Sequence, residues 1–252
     1  MQLYALLSPQ EAAALPRNVR PVHMAWRLSK QGQLLRLPLP GSLRRGILGL
    51  SDLGMPASFS PQLPARQLLQ QCRMLELGGV LADFEAPPGE SRLALLQSYL
   101  QERSGALSLF VPESYRAAEG TCVLCSTAIS GGRLQQRLEE AREVLGPGRF
   151  ALYLPRLAMD FTLPAPSGTG TPLSAEALQQ LREQHRASVF YSPELMARYF
   201  TYRRGEDFHF ALFDDAGTLH QKLQLGKKLG ARAAFLLYPQ VRDCLAQLVQ
   251  GL

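Results

Sequence analysis

The sequence predicts an α/β chain closed into a single (β/α)8 TIM barrel domain spanning residues 1–252. Three observations carry the prediction. Apolar runs of strand length alternate with stretches whose apolar residues recur at helical spacing, the pattern of βα units and a parallel sheet. The runs are apolar almost throughout, as expected for strands covered on both faces. A length of 252 residues, 46% hydrophobic and 19% charged, suits one sizeable core.

The strand runs are "LYALL" (3–7), "VHMAW" (22–26), "GILGL" (46–50), "GGVLADF" (78–84), "LSLFV" (107–111), "CVLCS" (122–126), "FALYL" (150–154), "SVFY" (188–191), "FHFALF" (208–213) and "AAFLLY" (233–238). Helical spacing marks 65–75, 91–103, 132–146, 174–185 and 216–230. Ser174 opens the fourth of these as an N-cap, and Gly230 closes the fifth as a C-cap. Ten runs exceed eight, so the surplus is expected in hairpins; residues 22–37 read as one, turning at Lys30-Gln31-Gly32. An open doubly wound sheet is the alternative, but no Gly-rich phosphate loop follows the first strand. The Gly-rich segment 166–172 lacks the GK[ST] ending of a P-loop and reads as a loop.

The formal net charge is +6, and Lys30, Lys222, Lys227 and Lys228 are the only lysines. The basic residues are scattered rather than gathered on one face, so nucleic acid is not an expected partner. No apolar run approaches the ~18 residues of a membrane span, and no basic segment precedes an apolar one at the N-terminus. The expectation is a cytoplasmic protein without a membrane partner, or a secreted one if a leader has been removed. Cys122 and Cys125 have CxxC spacing inside a strand, where residues three apart face opposite ways. With no second pair and no matching histidines, buried structural thiols are expected, with neither metal nor cofactor.

One run ends unusually. "GGVLADFEAPP" (78–88) finishes on two acids, Asp83 and Glu85, before a double proline. The strand period of two puts both on one face, opposite Val80 and Ala82. They stand at the C-terminal end of the strand, the end from which catalytic side chains project in a barrel. Two carboxylates this close do not both ionise easily, so one pKa is expected to rise, as a general acid requires. The plainer reading is a helix cap, an arginine acceptor or a metal ligand.

This stretch resembles the fourth-strand signature of glycoside hydrolase family 18, the chitinase-like barrels, written DGxDxDxE. Gly79 matches the glycine, Asp83 the last Asp, Phe84 the aromatic and Glu85 the Glu; Gly78 and Leu81 stand where two earlier acids belong. Residues 208–240 resemble the family's seventh strand, helix and eighth strand, through Phe213-Asp214-Asp215, Lys222 and Gly230, with Leu237 or Tyr238 where the family has Trp. Residues 153–164 resemble its sixth-strand region, Met159-Asp160-Phe161 standing near a Tyr-Asp pair. The resemblance implies a retaining, substrate-assisted glycosidase of N-acetylglucosamine-containing glycans. Glu85 would be acid and base, Asp83 would orient the N-acetyl group, and Asp160, Tyr153, Tyr191 and Tyr238 would contact substrate. Trp26 is the only tryptophan, which favours a short or soluble glycan. A chitinase-like barrel that binds glycan or a protein partner without catalysis is the alternative, favoured by the two missing acids. An unrelated barrel holding a metal on Asp83 and Glu85 is a third. The sequence fixes no oligomeric state.

Overall fold

The structure is a computed structural model that describes residues 1–103, 106–165 and 168–250; the first two residues of the segment 166–172 lie outside them. The strands are β1 (Gln2–Leu7), β2 (Val19–Leu28), β3 (Leu34–Arg36), β4 (Ile47–Ser51), β5 (Gly79–Asp83), β6 (Ser108–Pro112), β7 (Cys122–Ser126) and β8 (Phe150–Leu154). They continue with β9 (Ala158–Leu163), β10 (Thr171–Pro172), β11 (Phe190–Ser192), β12 (Ala197–Arg204), β13 (Asp207–Phe213) and β14 (Ala233–Leu237). The helices are α1 (Gln62–Met74), α2 (Glu90–Glu102), α3 (Leu134–Leu145), α4 (Ala175–Gln184), α5 (Ala216–Lys228), α6 (Tyr238–Val241) and α7 (Leu245–Leu248).

Eight strands form a closed parallel barrel. The hydrogen-bonded order runs β1-β14-β8-β7-β6-β5-β4-β2, and β1 pairs in parallel with both β14 and β2, closing the ring. Alternation splits each strand between two cores. On β5, Val80 and Ala82 face the helices while Leu81 faces the barrel interior. The interior is filled by Tyr4, Phe110 and Phe235, with Tyr4 stacked on Phe235 at 4.9 Å and Phe110 edge-on to it at the same distance. Burying rings of this size stabilises the fold by about 1.5–3 kcal/mol each. Cys122 faces inward and Cys125 outward, and all four cysteines are buried and free. Gly79 has φ +149, and a Cβ there would collide with the Ser108 backbone on β6. The glycine that opens the acid-bearing strand therefore allows β5 and β6 to approach closely.

The expected hairpin is present: β3 returns antiparallel to β2, through a turn in which Gly32 adopts φ +76. The Ser174 side chain accepts from the Ala177 amide and caps α4. Gly230, at φ +76, follows α5.

The other surplus runs went elsewhere. "FHFALF" and residues 153–164 are not the seventh and sixth barrel strands. The seventh is β8, and the chain from β9 to β13 inserts a five-stranded antiparallel sheet, ordered β10-β9-β13-β12-β11, before α5. The second half of β13, Phe210 to Phe213, is apolar because it too is covered on both sides. Ala211 and Phe213 pack under α4 with Leu181, and Leu212 packs on the opposite face with Phe161 and Leu195. A strand buried on two faces reads alike in a parallel barrel and in a small antiparallel sheet.

Candidate active site

The barrel delivers Asp83 to its C-terminal mouth. Leu81 lies in the interior cluster, and Asp83, two residues on, continues that inward row as the last residue of β5. Glu85 follows in the same parity, beyond the strand and exposed. Asp83 is partly buried, and among the described residues its carboxyl makes no hydrogen bond. Burial, then the charge of Glu85, then that of Asp52, hold its carboxyl above the usual carboxylate range.

The segment after β5 is fixed from two sides. Asp52, just past the end of β4 and 9% exposed, accepts from the Glu85 amide at 3.1 Å and from the Ala86 amide at 3.0 Å, one with each oxygen. Its second neighbour is Arg92 of α2, whose Nε lies 3.5 Å away. Tyr115 donates its hydroxyl to the carbonyls of Ala86 and Pro87, at 3.0 and 3.2 Å, and the Phe84 ring packs edge-on against it at 5.4 Å. Glu85 is thus an exposed side chain on a clamped backbone. Sequence reading missed Asp52, yet the signal was present: "ILGLSD" is another apolar strand that ends on an acid.

Of the four proposed substrate contacts, the structure brings Tyr153 to the acids. It follows Ala151 on the inner row of β8 and packs against the interior cluster. Burial and then the charges of Asp83 and Glu85 push its phenol up to about 12, so it is a neutral hydrogen-bond donor at physiological pH. The other three are engaged elsewhere. Asp160 is 8% exposed on the α4-facing side of the small sheet, where Oδ2 accepts from the Tyr202 hydroxyl at 2.8 Å and lies 3.0 Å from His209 Nδ1. Tyr191 donates to Gln221 Oε1 on α5 at 2.7 Å, beneath the Arg198 guanidinium. Tyr238 begins α6 and packs against the outer core, whereas Leu237 keeps the inward parity of Phe235. Trp26 is buried in the outer core.

Asp214 and Lys222 form a closed structural pair. Lys222 Nζ, fully buried, donates to both Asp214 oxygens at 2.7 and 2.8 Å, and Thr218 and the Leu157 amide satisfy the same carboxylate. Asp215 caps α5 reciprocally with Thr218. Among the described residues no group of three or more His, Cys, Asp or Glu is arranged to hold a metal ion, and no helix is long and apolar enough to cross a membrane.

The molecule is a closed parallel barrel with an antiparallel insertion after its seventh strand, and solved chitinase-like proteins share its fold. Solved structures similar to it include a chitinase from Chromobacterium violaceum ATCC 12472, with TM-score 0.65 and 13% identity, over 99% of this chain and 98% of that one. The Bacillus cereus spore cortex-lytic enzyme SleL matches with TM-score 0.68 and 16% identity, over 98% of this chain and 74% of that one. A mutant of the class V chitinase from Nicotiana tobaccum, in complex with NAG4, matches with TM-score 0.63 and 13% identity, over 98% and 97%. No protein-family model and no curated protein sequence matches the chain. At these identities the likeness is one of fold.

Proposed function

We propose that the chain is a glycosidase acting on N-acetylglucosamine-containing glycans by a retaining, substrate-assisted mechanism. The observation that carries this reading is the placement of Asp83. It is an inward-facing carboxyl at the catalytic end of a barrel strand, lacks a hydrogen-bond partner among the described residues, and stands beside a second acid on a clamped backbone. The proteins that share the fold include chitinases and a spore cortex-lytic enzyme, which supports the substrate class.

The residues divide the work as follows. Glu85 protonates the leaving oxygen. The substrate's N-acetyl oxygen attacks the anomeric carbon, and the bond to the leaving group breaks. Asp83 holds the acetamide and faces the positive charge of the resulting ring. Water, deprotonated by Glu85, then opens that ring with overall retention. Tyr153 supplies a neutral donor beside both acids. Asp52 fixes the backbone from which Glu85 reaches out.

One observation favours the second reading, a barrel that binds glycan or a protein partner without catalysis. Leu81 occupies the inner-row position below Asp83 and packs in the apolar interior, so no acid underlies Asp83 on its own strand. Hydrolysis of fluorogenic N-acetylglucosamine oligomers by the protein and by Glu85→Gln, between pH 4 and 8, separates the two. The glycosidase reading expects turnover that falls about 10²–10⁴-fold in Glu85→Gln. Absence of turnover, with oligomers still raising the unfolding temperature, would instead support the non-catalytic barrel.

A further inference from the structure

The β2 side of the mouth carries a charge that this chemistry does not use. β2 alternates regularly as far as Met24, which packs on the barrel interior. Its register with β4 then shifts between Met24 and Trp26. Ala25 and Trp26 both lie in the outer core, and so does Leu28. The extra residue turns Arg27 to the inner side of the strand. Without the bulge, the parity of Val22 and Met24 would put Trp26 inward and Arg27 among the helices. Bulges recur beside functional sites because they re-aim a single side chain.

Arg27 is in register with Ser51, and Ser51 with Asp83. It therefore stands two strand spacings, about 10 Å, from the acid. Arg27 is exposed and makes no ion pair or hydrogen bond among the described residues. Arg92, Arg137 and Arg156, also at this end of the barrel, are engaged with Asp52, Glu113 and Asp243. A guanidinium presented without a partner matches a carboxylate through two parallel hydrogen bonds. The net charge of +6 attracts an acidic polymer at longer range.

We propose that Arg27 forms a subsite for a carboxylate on the sugar bound beside Asp83 and Glu85. The barrel then takes acidic N-acetylglucosamine glycans, those carrying a lactyl ether as in N-acetylmuramic acid, in preference to neutral chitin chains. This rests on the glycosidase reading and narrows its substrate.

The test uses two tetrasaccharides that differ in that group: the chitin tetrasaccharide, and one alternating N-acetylglucosamine with N-acetylmuramic acid. Binding is read by calorimetry in the Glu85→Gln background, so that neither probe is consumed. The acidic probe is expected to bind about fivefold tighter at low salt, the scale of an exposed ion pair. Adding Arg27→Gln brings the acidic probe down to the affinity of the neutral one, and Arg27→Lys retains part of the preference. A preference that survives Arg27→Gln, or equal binding of the two probes with Arg27 present, overturns the subsite. Failure to bind either overturns the subsite together with the glycan reading. Hydrolysis by the protein with Glu85 intact is read separately: no turnover, with the charge preference retained, removes the chemistry and leaves the subsite standing.

Discussion

Asp214 and Asp83 are aspartates at the ends of two strands, and they have opposite surroundings. Asp214 closes the junction between β13 and α5, with a lysine, a hydroxyl and a backbone amide all directed at its carboxylate. Asp83 closes β5 at the barrel mouth, its carboxyl without a hydrogen bond among the described residues and acted on by the charges of Glu85 and Asp52. A buried carboxylate that is fully satisfied holds structure together. One left unsatisfied among other acids costs stability, and it persists where a ligand or a reaction uses it. The comparison assigns Asp214 to the fold and supports the proposed functional role of Asp83.

The largest effect tests the structural side. Lys222→Met leaves Asp214 buried without its counter-ion, at a loss of about 3–5 kcal/mol. Denaturant unfolding measures it. Adding Asp214→Leu should recover much of the loss, because an apolar pair replaces an ionic one. A single variant within ~1 kcal/mol of the parent would remove the contrast on which the comparison stands.

Asp52 sits between the two cases: its carboxylate is satisfied like that of Asp214, yet the backbone it holds carries Glu85. Asp52→Asn keeps one acceptor, loses the other, and leaves Arg92 without its neighbouring charge. Hydrogen bonds to a charged acceptor contribute about 1.5–3 kcal/mol, so a loss of about 2 kcal/mol is expected. If the clamp positions Glu85, kcat on the fluorogenic oligomers should also fall about tenfold, with KM little changed. Lost stability with unchanged kcat would confine Asp52 to the fold.

The comparison also shows why the sequence revealed some of this and not the rest. The eight barrel strands and five principal helices are legible because each buries a continuous apolar face, and that face is written locally. The inserted sheet is not. The second half of β13 is as apolar as a barrel strand, and β12 (Ala197–Arg204) hides its alternation behind tyrosines on both faces, Tyr202 toward α4 and Tyr199 on the opposite side, and behind arginines. Asp83 and Glu85 were legible because two acids closing an apolar run are anomalous at short range. Asp160 was a looser match in its local string, and its partners Tyr202 and His209 come from strands 42 and 49 residues away. Arg27 depended on a bulge, a shift in pairing that periodicity does not carry.

The smallest effect tests Asp83 itself, and it needs no activity. In the unfolded chain its carboxyl titrates near the ordinary value of about 3.9, whereas in the folded protein burial and two neighbouring acids hold it higher. Between those two values the folded state binds the proton more tightly. Stability contributed by this group therefore falls as pH rises through that window, and the full cost is present above it. Asp83→Asn removes the charge while keeping the shape, so the variant should unfold at a higher temperature than the parent at pH 7. The gain should shrink as pH falls and vanish near pH 3, where the parent's carboxyl is protonated in both states. Asp214→Asn makes the opposite control, since its charge is compensated by Lys222 and its loss should destabilise at pH 7. If Asp83→Asn is the less stable protein at neutral pH, Asp83 has partners as good as those of Asp214, and its claim to be a functional group fails with the comparison.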